Sequence, residues 1–293
     1  MVLDPEDKPS CYTVLQGAHS VYYHAADMGE MGFIENNKAL CMLSVLINTH
    51  LLMAAKDIGI QRFFYASIAC VYNGDKQKDP KVTALKEPDA YPALPEDGYG
   101  WEKLFSERMC RHFREDYGVQ PRVARYHTYG LPVVTTNCSN NYGPNQFPEK
   151  LIPVVIQNVL GRKAIPVYGD GLNVRGWLYV GDHAEALWQV LVKGRLGQTY
   201  NIGGHNEWAN IRIVELICDL VDEMKPGLGG NSRGLITYVK DRPGHDRRYA
   251  IDASKIKKEL NWVPAHTFET GIRETVRWYL YHQNRVEIVR KKY

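Results

Sequence analysis

The chain has 293 residues, 44% apolar and 24% charged, enough to bury a sizeable core as one large or two modest domains. A net charge of only +3 gives no reason to invoke a nucleic acid or a membrane surface as partner. Six cysteines (Cys11, Cys41, Cys70, Cys110, Cys138, Cys218) form no Cys-x-x-Cys pair, so reduced thiols in a cytoplasmic setting are expected, with neither a disulfide frame nor a metal site.

Residues 1–10 are polar, with Pro5 and Pro9, and do not read as a signal peptide; no apolar run approaches membrane length. Ser20 to Ala26 reads as a short buried strand ending in small residues, and 27–32 as a loop. Asn36 to Ile58 has helical apolar spacing with Gly59 as its stop. Gln61 to Tyr65 is a second strand, running into Ala66 and Ser67. A long proline-bearing loop, 78–97, precedes a helix from Tyr99 to about Tyr117.

The second half has a different texture. Helices are expected at Pro148 to Leu160, Ile211 to Met224, Ser254 to Leu260 and Phe268 to Gln283. Strands are expected at Ala164 to Tyr168, Gln198 to Ile202 and Leu235 to Val239, and Trp177 to Val192 reads as a strand running into a helix. Arg285 to Tyr293 is a basic helix end or tail. Strands alternating with helices argue for a parallel sheet covered on both faces, whose ligands bind beyond the carboxyl ends of the strands. The division expected is a dinucleotide-binding part, 1–163, with some later segments returning to it, and a smaller α/β substrate part, 164–293.

Chemistry concentrates in two stretches. Tyr99 and Lys103 lie one turn apart on a helix face, where an ammonium beside a phenol lowers its pKa toward a usable general base. Spacing alone is weak, since Tyr72 and Lys76 repeat it in a turn. What lifts Tyr99 is its position near Ser67 and Cys70, both at a strand's carboxyl end.

Long runs of the chain resemble the extended short-chain dehydrogenase/reductase family that acts on nucleotide sugars. His24-Ala25-Ala26-Asp27-Met28-Gly29, Phe33-Ile34 and Arg62 to Cys70 resemble the GDP-mannose 3,5-epimerases, over about 14–127. Asn137 to Pro144, Phe147 to Pro153, Trp177 to Val180 and Asp241 to His245 resemble the dTDP-glucose 4,6-dehydratases, over about 128–282. Two neighbouring stretches, each closing on Tyr-Gly, offer rival strands at Arg122 to His127 and Val133 to Cys138; we read them as a join between two homologous chains and expect the second in the sheet.

The resemblance implies NAD as cofactor, with Ala25, Ala26, Tyr99, Lys103 and Asn141 on its nicotinamide side. It implies a substrate of the dTDP-glucose or GDP-mannose class held by Asn140, Lys150, Pro166, Tyr168, Arg175, Asn210, Arg242 and His245. Tyr99 would take the C4 hydroxyl proton as hydride passes to NAD, with Lys103, Ser67 and Cys70 the other catalytic candidates. A homodimer would form through helices 36–58 and 99–117.

Departures matter as much. The glycine-rich turn that receives a pyrophosphate has no counterpart in these residues, so an incomplete Rossmann-like sheet is expected, its first strands missing and the strand ending at His24 left as an apolar edge. Ile68 stands where the family has a hydroxyl residue, and Ala69 and Cys70 stand where a dehydratase has an acidic pair. Glu30 and Gly176 replace a glycine and an aspartate of relatives. Three readings follow: a 4,6-dehydratase impaired in this chain, a 3,5-epimerase-like activity using Cys70, or a non-catalytic remnant that at most binds dTDP-sugar.

Overall fold

The polar N-terminal segment, for which the sequence predicts no element, contains a helix. The computed structural model describes residues 3–26, 34, 36–77, 84–95, 97–117, 133–204, 206–241 and 248–292. Its first element is α1 (Lys8–Leu15), started by the Asp7 carboxylate, which accepts the Ser10 N–H, and by Pro9 in the first turn. Cys11 and Leu15 of α1 are buried in the same cluster as Ile47, Leu51 and Ala55 of α2 (Lys38–Ile58). The α2 helix stops where expected: Gly59 takes the left-handed conformation, φ 84°, and returns its N–H to the Ala55 carbonyl.

The principal sheet is parallel throughout. β1 (Ser20–Tyr23) pairs with β2 (Arg62–Ala66), β2 with β3 (Val133–Cys138), and β3 with β7 (Thr199–Ile202). β2 shows why its run is apolar without a break. Phe63 and Tyr65 enter the core beneath α2, while Phe64 enters the opposite core beside Ala186, Val190 and Leu191 of α5 (Val180–Lys193). α3 (Asp97–Asp116) lies beside α2 on the first face. Among the described residues β1 is an edge strand, as expected, although Val21 and Tyr23 are buried in the α1–α2 core.

Of the two rival strands, Val133–Cys138 fills the sheet; 122–127 lies outside the described residues. The expectation that no apolar run reaches membrane length needs correction. Among the described residues one helix, Lys38–Ile58, has the length and mean hydropathy (1.5) to span one. It packs here between α1 and α3 as a core helix.

The second half carries its own core. β4 (Asn140–Tyr142), β6 (Val174–Tyr179) and β10 (Arg248–Tyr249) form one ladder, with β8 (Glu207–Ala209) antiparallel on β6. β5 (Ile165–Tyr168) pairs with β9 (Ile236–Val239). α4 (Leu151–Leu160), α6 (Asn210–Met224) and α8 (Phe268–Tyr281) pack around Ile156, Ile165, Ile213, Ile217, Phe268 and Val276. α7 (Ser254–Leu260) joins the α5 side. The last expected helix divides at His282, so the basic end forms α9 (Gln283–Lys292), anchored by buried Val286.

Candidate active site

Because β1, β2 and β3 run parallel, their carboxyl ends deliver His24-Ala25-Ala26, Ser67 to Cys70 and Cys138 to one edge of the sheet. α3 begins against that edge. A Cβ on Gly100 would stand 2.7 Å from the Cys70 carbonyl oxygen, so glycine there is what lets the turn carrying Tyr99 close onto Cys70. Cys70 is half-buried.

Tyr99 and Lys103 are 6% and 3% exposed, one turn apart as expected. The ammonium lies 5.2 Å from the Tyr65 ring centroid, 5.6 Å from that of Tyr99 and 5.9 Å from that of Tyr23. Glu102 Oε2 is 3.8 Å from it. The expected fall of the Tyr99 pKa is not found. Burial pushes the phenol well up, and the neighbouring Cys70 and Glu102 push it further. Lys103 itself is lowered by burial, against the pull of Glu102.

Ser67, a catalytic candidate of the resemblance, lies on the inner face of the strand end. Its N–H donates to the Thr136 carbonyl, and its hydroxyl is sealed inside against the Glu107 carboxyl. It neighbours Glu107, whose carboxyl burial pushes up to about 7 while Ser67 and Lys103 draw it down. Ser67 thus stands behind the site rather than open to a substrate, because alternate residues of a strand end face opposite ways. Ile68 packs with Val71, Tyr72 and Leu85, an apolar contact.

Ala25 is exposed and Ala26 half-buried. Asn141, expected toward a nicotinamide, is engaged with protein: its Oδ1 accepts from His183 Nδ1 at 2.5 Å and its Nδ2 donates to Cys138 Sγ at 3.8 Å. Burial lowers His183 to about 4, helped by the charge of His24. Sequence reasoning passed over His183, a lone histidine on α5 with no motif around it.

Six of the eight expected substrate residues are described. Pro166 and Tyr168 lie on β5, Tyr168 49% exposed at its carboxyl end. The following turn needs Gly169 and Gly171, φ 59° and 71°. The Gly171 carbonyl accepts from the Ile211 N–H at 2.9 Å, and the Asn173 carbonyl accepts from the Asn210 N–H at 3.0 Å, so the start of α6 is bonded to the turn leading into Arg175. Arg175 sits opposite Trp208 in the β6–β8 ladder, half-buried. Asn140 opens β4 opposite Trp177, and Lys150 precedes α4 with its ammonium 3.8 Å from Glu149. Arg242 and His245 lie outside the described residues. Glu207, opposite Gly176, takes Arg248 in an ion pair at 2.8 Å, a contact the sequence did not suggest.

A dinucleotide finds only half of its requirements among the described residues. Tyr99, Lys103 and the Ala25-Ala26 strand end fit a nicotinamide side. Among the described residues before β1 there is no strand, glycine turn and helix to receive a pyrophosphate. Among the described residues no group of three or more His, Cys, Asp or Glu could hold a metal.

Residues 3–275 match the model of the family described as GDP-mannose 4,6 dehydratase. The chain is 50% identical over 229 residues to the dTDP-glucose 4,6-dehydratase of Xanthomonas campestris pv. campestris, covering 77% of this chain and 60% of that one. An Escherichia coli dTDP-glucose 4,6-dehydratase is 50% identical over 235 residues, 78% and 61% covered. The chain therefore spans about three fifths of the length of these relatives. Among solved structures, dTDP-glucose 4,6-dehydratase from Streptomyces venezuelae with NAD and TYD bound superposes with a TM-score of 0.81 at 31% identity, covering 98% and 81%. UDP-glucose 4-epimerase from Thermotoga maritima gives 0.80 at 21% identity over 96% and 84%, a likeness of fold.

Proposed function

The chain belongs to the GDP-mannose 4,6 dehydratase family, and within it we propose a nucleotide-sugar protein of the dTDP-glucose 4,6-dehydratase kind, strong in substrate binding and impaired in turnover. The observation that carries the reading is identity of about half to dTDP-glucose 4,6-dehydratases across three quarters of the chain. It is supported by the bonded unit of Tyr168, the glycine turn, Arg175 and Asn210. Arg175 would grip a diphosphate oxygen, with Arg242 as its partner. Asn140, Lys150, Pro166, Asn210 and His245 would line the base and sugar.

The cofactor of the family is NAD, as in the Streptomyces venezuelae and Bacillus anthracis structures. It would supply the oxidation at C4 when bound. This chain's own residues do less. Burial raises the Tyr99 pKa, Lys103 is sealed among rings, and Ala69 and Cys70 offer no acidic pair for elimination.

A 3,5-epimerase-like activity is the second reading, favoured by Cys70, whose backbone packs on the Tyr99 turn. The third is a binder of dTDP-sugar without turnover. We also propose a cytoplasmic homodimer, residues 1–163 forming most of the cofactor side, with some later segments returning to it, and 164–293 mainly the substrate side.

Calorimetry with dTDP-glucose, GDP-mannose and NAD, each alone, tests the reading. The expected result is dTDP-glucose binding that Arg175→Ala weakens at least tenfold, with NAD binding weak or undetected. Preference for GDP-mannose, or 4-keto-6-deoxy product formed at a rate normal for such enzymes, would overturn it.

A further inference from the structure

Lys103 is the one lysine or arginine buried in the described part of the chain, and its surroundings are unusual. From α3 it meets Glu102, Glu107, Tyr99 and Cys110, from β1 Tyr23, from just beyond β1 His24, from β2 Tyr65, and from the turn after β2 Cys70. α2 adds buried Asn48 behind Cys110. The Tyr23 and Tyr65 hydroxyls, Glu102 Oε2 and Glu107 Oε1 are all sealed from solvent around Lys103. An ammonium enclosed this way is stable only if a carboxylate accompanies it.

Two carboxyls compete for one cation. Glu102 is 2% exposed, its Oε2 3.8 Å from the ammonium, and its other oxygen is fixed by the Ser106 hydroxyl at 2.8 Å. Glu107 makes no ion pair among the described residues. We propose that Glu102 is the counter-ion of Lys103, a positioning residue that keeps the ammonium charged inside the tyrosine-lined core and so sets the charge Tyr99 meets. Glu107 is then the spare carboxyl and keeps its proton under mildly acid conditions, consistent with its raised pKa. Ser106 has a matching task, since it orients Glu102 one turn away on the same helix.

What the pair means for a nucleotide sugar rests on the proposed function, but its test does not use one. Glu102→Gln, Lys103→Met and the double variant are compared with the parent by urea unfolding, and the Lys103 Nζ is titrated by nitrogen-15 NMR in the parent and in Glu102→Gln. The expected result is a non-additive cycle: each single variant loses stability, and the double variant is more stable than Glu102→Gln because no buried charge stands alone. In Glu102→Gln the Lys103 ammonium becomes at least tenfold more acidic. A Glu102→Gln chain that fails to fold but is rescued by Lys103→Met equally supports the pairing. Additive losses, a double variant that also fails to fold, or a Lys103 titration unmoved by Glu102→Gln would overturn the assignment. Failure to bind dTDP-glucose would leave this result standing and remove only the proposed function.

Discussion

The Tyr72 hydroxyl donates to Asn201 Oδ1 at 2.6 Å, joining the turn after β2 to β7 across 129 positions of sequence. Asn201 is a junction. Its Nδ2 donates to the Leu85 and Asp252 carbonyls at 3.0 and 3.1 Å, and its backbone N–H to Glu87 Oε1. Both side chains are fully buried. Tyr72→Phe removes the bond to Asn201 and the longer one its hydroxyl accepts from Asn137 Nδ2 at 3.5 Å, and should cost about 1–2 kcal/mol, whereas Asn201→Ala strands several buried groups and should cost about 3 kcal/mol or more. Urea unfolding of both variants checks this; equal costs would mean that Asn201 is not the junction.

Gly100 gives a steric prediction. Alanine at this position would bring a methyl group to 2.7 Å from the Cys70 carbonyl oxygen, a backbone atom that cannot swing aside. Gly98 is less tight, its nearest contacts at 3.1 Å including the flexible Met42 side chain. Gly100→Ala should therefore destabilise by about 1–3 kcal/mol and change the reactivity of Cys70 toward a thiol reagent. Gly98→Ala should do less of both, since helix propensity rises in both variants and partly offsets the clash.

The two glycines also show which features the sequence made legible. Helical spacing, the Gly59 stop and the Val133–Cys138 strand could be read because each has a local physical signature: a 3.6-residue period, a left-handed cap, a buried apolar run. The β4, β8 and β10 strands, two or three residues long, are too short to carry a period and exist only through their neighbours on β6. The helix α1 escapes a sequence reading because its first turn holds Pro9 in a polar segment, where the proline starts the helix instead of breaking it. At the site, spacing put Tyr99 and Lys103 one turn apart on a helix, as α3 has them, but the direction of the Tyr99 pKa depends on burial. Burial is a property of three packed layers and not of a five-residue pattern.

The outer faces of α2 and α3 suggest an assembly test. Leu40, Met42, Leu43 and Leu46 on α2 are 41–49% exposed, and Trp101 and Phe105 on α3 are 44% and 55% exposed. Two adjacent helices that present this much apolar surface are suited to a second copy of the same pair. The wild-type chain is expected to run as a dimer by sedimentation, and Leu43→Glu with Phe105→Glu as a monomer of unchanged helicity. A wild-type monomer at tens of micromolar would remove the proposed dimer.

Two buried titrations act against each other across the acid range. Burial holds the Glu107 carboxyl up to about 7 from an ordinary 4.5, so the folded chain binds the extra proton between those values and stability falls as pH rises through them. Glu102, also raised, adds a slope of the same sign. His183 is held down to about 4 from 6.5, so there the unfolded chain binds the extra proton and stability rises with pH until about 6.5. Each contribution is on the order of 3 kcal/mol, and between about 4.5 and 6.5 they oppose. The parent should therefore show a shallow dependence over that window. Glu107→Gln should expose the histidine, its stability climbing as pH goes from 4.5 to 6.5. His183→Asn, which keeps a donor for Asn141, should expose the carboxyls, its stability falling from 4.5 to 7. Urea unfolding at pH 4.5, 5.5, 6.5 and 7.5 reads both slopes. Parallel curves for the three proteins would show that neither group titrates as its surroundings require.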